Sequence, residues 1–266
     1  MPRASRSLSF FGATPIFGRA EYARAVGRRP QDRLVTGMLT HHLRAGNIRR
    51  ISRGVFASAS TGSPDRFLAA SRLRDGGVMA YRSALELHGC ALTQSGEVQV
   101  IAPGEPGVVS MKDFCCRFVS SPGRLPLTEG VMRLERHGLT IEVTTLERTV
   151  VDLLDRYGLA GGEQELFGSL DLVADRAGGL DLEIDIDAMV RFAAKLGNAA
   201  AAGVLGYWLE CERSTLEVPD SALQQLRALA PRQSRYALGA KPGQGRAATG
   251  WNVILPNDVV ERYFDS

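Results

Sequence analysis

The stretch "LTHHLRAGNIRRISRGVFA", Leu39 to Ala57, crowds Arg44, Arg49, Arg50 and Arg53 into ten residues. Its pattern reads as the end of a helix followed by two short strands. Gly46 and Asn47 stop the helix, glycine and asparagine being the residues that tolerate the turn out of it. "IRRIS" and "VFAS" then flank Arg53-Gly54, the spacing of a hairpin turn. Strand alternation puts Arg49 and Ile51 on one face and Arg50 and Ser52 on the other, so only one of the two arginines is expected on the face that meets a partner.

Upstream, "RAEYARAV" (Arg19 to Val26) reads as a short amphipathic helix with Tyr22, Ala23 and Val26 inward. Gly27 closes it in the left-handed conformation. Pro30 suits the first turn of a second helix, from Gln31 to Ala45. Leu34, Val35, Met38, Leu39 and Leu43 fall on one face of that helix; Arg33, Thr36, Gly37, Thr40 and Arg44 fall on the other. Helix, turn, helix and hairpin is the order of a winged helix-turn-helix, expected over residues 1–63. In that geometry the second helix enters the major groove of double-stranded DNA.

The charge distribution agrees. The chain totals +3, yet residues 1–60 hold eleven arginines and two acids, Glu21 and Asp32, so this segment carries +9 and the remainder −6. A basic segment on an otherwise acidic chain points to a polyanionic partner. Arg28, Arg29, Gln31, Arg33 and Thr36, near the start of the second helix, are the expected base readers, since arginine pairs with guanine and glutamine with adenine through two hydrogen bonds each. Thr40 and Arg44 are expected on phosphate, and Arg49, Arg50 and Arg53 hold the hairpin to the backbone. Arg3 and Arg6 are expected in a disordered tail.

Beyond "TGSP" (Thr61 to Pro64), residues 64–266 read as a larger mixed α+β domain, giving an α+β chain overall. "PDRFLAASRLRDGG" and "VMAYRSALELHG" read as helices, the second closed by Gly89 with His88 in its last turn. "EVQVIAP", "CCRFVSS", "VMRLER" and "LTIEVTT" read as strands, with His137-Gly138 turning between the last two. Thr144 and Glu147 have capping-box spacing ahead of the helix "TLERTVVDLLDRY". Arg148 and Asp152 on that helix can pair as i, i+4 neighbours, worth about 0.2–0.5 kcal/mol. Gly197-Asn198 joins two helices, and Gly203 and Gly206 allow the second to pack closely. "GAKPGQGR" reads as a hairpin loop, because it lacks the Gly-Lys-Ser/Thr of a phosphate loop.

Several functions are disfavoured. None of Lys112, Lys195 and Lys241 follows a carboxylate by two residues, as a nuclease core of that type requires. The alternating acids Asp181, Glu183, Asp185 and Asp187 read as an exposed strand entering a helix cap. Cys90, Cys115, Cys116 and Cys211 form no C-x-x-C pair and no zinc spacing with the four histidines. No catalytic residue, cofactor or metal is expected. The longest apolar run, Ala199 to Trp208, is too short to cross a bilayer, and the first residues lack a signal-peptide core, so a cytoplasmic protein with no membrane partner is expected.

The segments "LTHHLRAGNIRRISRGVFA", "YRSALELHG", "TTLERTVVDLLDR" and "KLGNAAAAGVLGYWLE", in this order, with "RYALGA…GWNVILP" at the close, resemble the AbiEi family. These are antitoxins and autorepressors of AbiE (type IV) toxin–antitoxin systems. The resemblance implies a winged helix that binds inverted repeats in its own promoter. It also implies a C-terminal domain that counteracts a nucleotidyltransferase-like toxin without a stable complex. A stand-alone winged-helix regulator with a ligand-sensing or dimerising C-terminal domain is the alternative; a DNA-targeted nuclease or phosphoryl-transfer enzyme ranks third.

Overall fold

The computed structural model describes residues 3–59, 62, 64–179 and 181–263, and side chains from residue 6 onward. The chain is α+β and divides into two compact units, neither of them continuous in sequence. The first comprises Met1–Met79, Gly96–Val119 and Arg133–Val143; the second comprises Ala80–Ser95, Ser120–Met132 and Thr144–Ser266. The first unit therefore takes in residues on both sides of "TGSP", of which residues 61 and 63 lie outside the described ones.

The first unit begins with α1 (Arg3–Ala13), where a disordered tail was expected. Ser7, Phe10 and Phe11 recur at i, i+3 and i+4, so one face of this segment is worth burying. Phe11 stacks on Tyr22 and Phe17, and the Ser7 and Tyr22 hydroxyls lie 3.0 Å apart. After β1 (Ile16–Gly18) come α2 (Arg19–Ala25), α3 (Arg33–Arg44), β2 (Ile48–Ser52) and β3 (Val55–Ser58). β3 is the central strand, antiparallel to both β1 and β2. Tyr22, Val35, Leu39, Ile48 and Phe56 close one apolar core with the α1 aromatics. Gly54 takes the expected hairpin turn at φ +82.

The rest of this unit is α4 (Arg66–Ser71) and a six-stranded mixed sheet. The strands are β4 (Val78–Met79), β5 (Glu97–Ile101), β6 (Gly107–Ser110), β7 (Cys115–Val119), β8 (Val131–Arg136) and β9 (Leu139–Thr144), in the order β6-β7-β5-β4-β9-β8. Four of the strands follow the sequence reading. Val78-Met79 does not continue into the next helix; it pairs with Ile101, Val100 and Val143 as the buried strand β4. The edge strand β6 has no apolar alternation and was not expected. His137 and Gly138 turn between β8 and β9 with φ of +51 and +73.

The second unit is mainly helical: α5 (Tyr81–His88), α6 (Leu146–Asp155), a 3-10 turn at Tyr157–Leu159, α7 (Glu163–Gly178), α8 (Ile186–Leu196), α9 (Ala199–Cys211) and α10 (Asp220–Leu229). It closes with β10 (Arg235–Tyr236), β11 (Gly245–Ala248), β12 (Val253–Pro256) and α11 (Asn257–Arg262). Thr145, not Thr144, caps α6, accepting from the Arg148 amide; Thr144 is buried, and its carbonyl accepts 2.8 Å from His88 Nε2. Asp185 caps α8 directly, and no strand precedes it among the described residues. The "GAKPGQGR" loop is not a hairpin. It joins β10 to β11, which flank β12 on opposite sides, β10 parallel to it and β11 antiparallel.

Arg148 and Asp152 do pair, at 3.3 Å, but both are fully buried instead of lying on a solvated face. The i, i+4 spacing gave the pair correctly, whereas its burial depends on residues distant in sequence: Arg148 also donates to the Pro126 and Glu129 carbonyls.

Gly197 (φ +72) ends α8, and the Asn198 side chain caps α9 by accepting from the Ala200 and Ala201 amides. α9 is buried along most of its length. The face of Gly206 is filled by the Trp251 ring, whose Cζ3 would lie 2.0 Å from an added Cβ. The Trp251 indole N–H donates 2.6 Å to Glu210 Oε2. Gly206→Ala should therefore destabilise by about 1–3 kcal/mol, as overpacked cores do. Thermal unfolding followed by tryptophan fluorescence tests this; an unchanged midpoint would mean that the ring moves aside freely.

Candidate nucleic-acid interface

α3 starts at Arg33, two residues later than the spacing predicts. The Asp32 carboxylate accepts from the Leu34 amide at 2.9 Å, satisfying one of the free donors of the first turn. Gln31 and Pro30 therefore lie in the turn ahead of the helix. The buried face is set by Val35, Leu39 and His42, with Met38 and Leu43 partly covered. Leu34 does not belong to it: one position before Val35 is a rotation of about 100° on a helix, and Leu34 is 54% exposed.

The ten candidate residues separate by what already holds them. Arg29, Arg33, Arg44 and Arg53 are exposed, and their guanidinium groups have no partner among the described residues. Gln31 is likewise exposed, and Thr40 is half-buried. The remaining four have work within the fold. Arg28 pairs with Asp32 at 3.5 Å. Thr36 accepts at 2.8 Å from Arg19 Nη2. Arg49 donates to the Gly62 carbonyl, and the Arg50 guanidinium lies 5.8 Å from the Phe56 ring centre. Both Arg49 and Arg50 are exposed; they pair in consecutive register with Ala57 and Phe56, so they sit on opposite faces of the edge strand β2, and the register shifts only beyond them, between Arg50 and Ser52.

The two acids of this segment are both engaged. The Glu21 carboxylate accepts from the Gly18 amide at 2.6 Å and pairs with Arg72 at 3.1 Å; Asp32 caps α3 and meets Arg28. Neither offsets the unpaired arginines, so α3, the turn before it and the hairpin tip present a positive surface. A surface hollow lined by Arg24, Gly27, Arg28, Arg29, Gln31 and Asp32 lies at the start of α3.

Sequence reasoning missed the residue that joins these parts. Arg19, the first residue of α2, donates through Nε to the Pro30 carbonyl at 2.6 Å and through Nη2 to the Asp32 carbonyl at 3.2 Å and the Thr36 hydroxyl. Its own amide donates to the Gly54 carbonyl at 2.9 Å. No local pattern distinguishes Arg19 from the other ten arginines of residues 1–60; its role depends on partners up to 35 residues away.

No family model and no curated protein matches this sequence. The fold recurs in a mycobacterial protein. The crystal structure of the RV2827C protein from Mycobacterium tuberculosis aligns with a TM-score of 0.63 at 14% identity, covering 100% of this chain and 96% of that one. The likeness is one of α+β fold. No helix among the described residues is long and apolar enough to cross a membrane.

Two stability predictions follow from this geometry. Arg33→Ala, Arg44→Ala and Arg53→Ala should each leave stability within about 0.5 kcal/mol of the parent, as exposed substitutions do. Arg19→Ala should cost about 1–3 kcal/mol through the charged hydrogen bonds it loses. Urea denaturation of the four variants checks the contrast; equal effects would contradict it. The second concerns His42. Its Nδ1 accepts from the Asn47 amide at 3.1 Å, and burial, then the neighbouring His41, hold its pKa below the ordinary value. The unfolded chain takes up this proton near pH 6.5 while the folded chain resists it. The stabilisation is thus present above about pH 6.5 and is lost as pH falls through the depressed folded value. The urea midpoint should drop between pH 7.5 and pH 5.5, by less in His42→Gln; an equal drop in both would remove His42 as a cause.

Proposed function

We propose that this protein is a DNA-binding autorepressor and antitoxin of the AbiE kind. On this reading α2, α3 and the β2–β3 hairpin form a winged helix-turn-helix. α3 enters the major groove of inverted repeats in the protein's own promoter, and the hairpin follows the adjacent phosphates. The observation that carries the DNA-binding part is the set of exposed, unpaired arginines, Arg29, Arg33, Arg44 and Arg53, on α3, the turn before it and the hairpin tip. Unpaired guanidinium groups with no neighbouring free carboxylate lose little by meeting phosphate, and they release counterions when they do. Arg28, Thr36, Arg49 and Arg50 are engaged first within the fold, and Arg19 ties the start of α3 to the hairpin.

The antitoxin part rests on the ordered AbiEi-like motifs. We assign it to the chain beyond residue 63, whose net charge is opposite to that of the DNA-binding segment. Its counterpart would be a nucleotidyltransferase-like toxin, antagonised without a stable complex. The protein is further proposed to be cytoplasmic and not an enzyme.

The test uses the full chain and a duplex of its own promoter, with binding measured at several salt concentrations. Arg53→Ala should weaken promoter and unrelated duplexes alike and flatten the log–log salt slope by about one unit. Arg33→Ala should weaken promoter binding by about 1–3 kcal/mol while leaving unrelated duplexes less affected. In cells expressing the cognate toxin, Arg33→Ala with Arg53→Ala should relieve promoter repression and leave protection intact. Failure of the parent chain to prefer its promoter would overturn the DNA-binding reading. Loss of protection in the double variant would overturn the separation of the two activities.

A further inference from the structure

Two features of α3 have no account within the fold. Gly37 stands in the middle of a helix, where glycine is less stable than alanine. Its backbone is helical, and an added Cβ would meet no atom within 4 Å, so neither conformation nor internal packing calls for glycine. One turn earlier on the same flank, Leu34 leaves a branched apolar side chain 54% exposed. A leucine in water forgoes the stabilisation of burial.

The surroundings restrict what can cover this flank. Arg33 and Arg44 lie beside it, exposed and unpaired, and the nearby Asp32 carboxylate is spent on the helix cap and Arg28. The occupant must be anionic overall, yet must present a compact apolar group to Leu34 at close range. Of the groups on base edges in the major groove, only the thymine C5-methyl is apolar.

We infer that Leu34 packs on the C5-methyl of a thymine, and that the bare Cα of Gly37 lets α3 lie close enough to the base edges for that contact. This rests on the DNA-binding reading above and extends it by naming a base and the residue that selects it. Leu34 thereby acts as a specificity residue and Gly37 as a positioning residue.

The experiment takes the full chain and its own-promoter duplex, with each thymine replaced in turn by deoxyuridine, which lacks only the methyl. The parent should lose about fourfold in affinity at one thymine per half-site, the worth of one buried methyl group. Leu34→Ala should bind the unmodified duplex more weakly and be indifferent to deoxyuridine at that position. Gly37→Ala should raise the melting temperature by about 2–4 °C through better helix propensity. The same variant should bind the promoter roughly tenfold more weakly, as for one lost base contact. A variant that is more stable yet binds less well cannot be explained by damage to the fold.

If the parent binds the promoter but no deoxyuridine substitution costs affinity, or if Leu34→Ala keeps the parent's sensitivity, the thymine assignment is overturned and the DNA-binding reading stands. Unchanged affinity in Gly37→Ala overturns the close approach. If the parent does not distinguish the promoter from a scrambled duplex, the DNA-binding reading falls and takes this inference with it.

Discussion

The arrangement of the basic surface depends on the Arg19 guanidinium. Its hydrogen bonds to Pro30, Asp32 and Thr36 hold the turn before α3 and the first turn of that helix, while its amide reaches the hairpin at Gly54. The start of α2, the turn into α3 and the hairpin thus meet at one residue, through its planar, permanently charged side chain on one side and its backbone amide on the other. Arginine suits this because its donors spread over a rigid fork, whereas lysine offers a single point of attachment. A positive side chain in a region that must also repel like charges would ordinarily be a liability. Here its charge is directed onto carbonyl oxygens, so it organises the free arginines without adding greatly to their mutual repulsion. Glu21 and Asp32 do the complementary work, each tied down inside the unit.

What could be read from the sequence was what local physics decides. The α2–α3–hairpin order, the turns at Gly27 and Gly54, and the Gly197-Asn198 junction all follow from helical period, left-handed glycine and side-chain caps. The failures were non-local. α1 escaped notice because its aromatic face makes sense only once Phe17, Tyr22 and His42 come together around it. Leu34 was grouped with the core because apolar character was read without the helix phase, which the Asp32 cap fixes. All ten residues of the candidate site lie on α3, the turn before it or the hairpin. The sequence could not separate Arg33 and Arg53, which are unpaired, from Arg28 and Arg49, which are engaged.

Arg148 and Asp152 show how far spacing falls short of energetics. On a surface, such a pair is worth a few tenths of a kcal/mol. Buried, it is a liability that is costly to break, because removing either partner leaves an uncompensated charge, at roughly 3–5 kcal/mol. Burial pushes the Asp152 pKa up, against the pull of Arg148. Arg148 Nη2 and Asp152 Oδ1 have no protein partner among the described residues. The pair therefore contributes less to stability than its contacts suggest. Its bonds to the Pro126 and Glu129 carbonyls fix where that irregular segment lies against α6.

The position of β12 has a consequence for the order in which the molecule is built. β12 is the central strand of its sheet, and Trp251, just before it, fills the face of α9 at Gly206. The helices made earlier must wait for residues beyond 250 before this part of their core is complete. Around α3 the opposite holds: every strand of its sheet lies between Ile16 and Ser58. Emerging from the ribosome amino-terminus first, the chain can close the small sheet early and the second unit late. A nascent protein would then pass through a stage with its basic surface formed and the core around Trp251 still open to chaperones, proteases or aggregation.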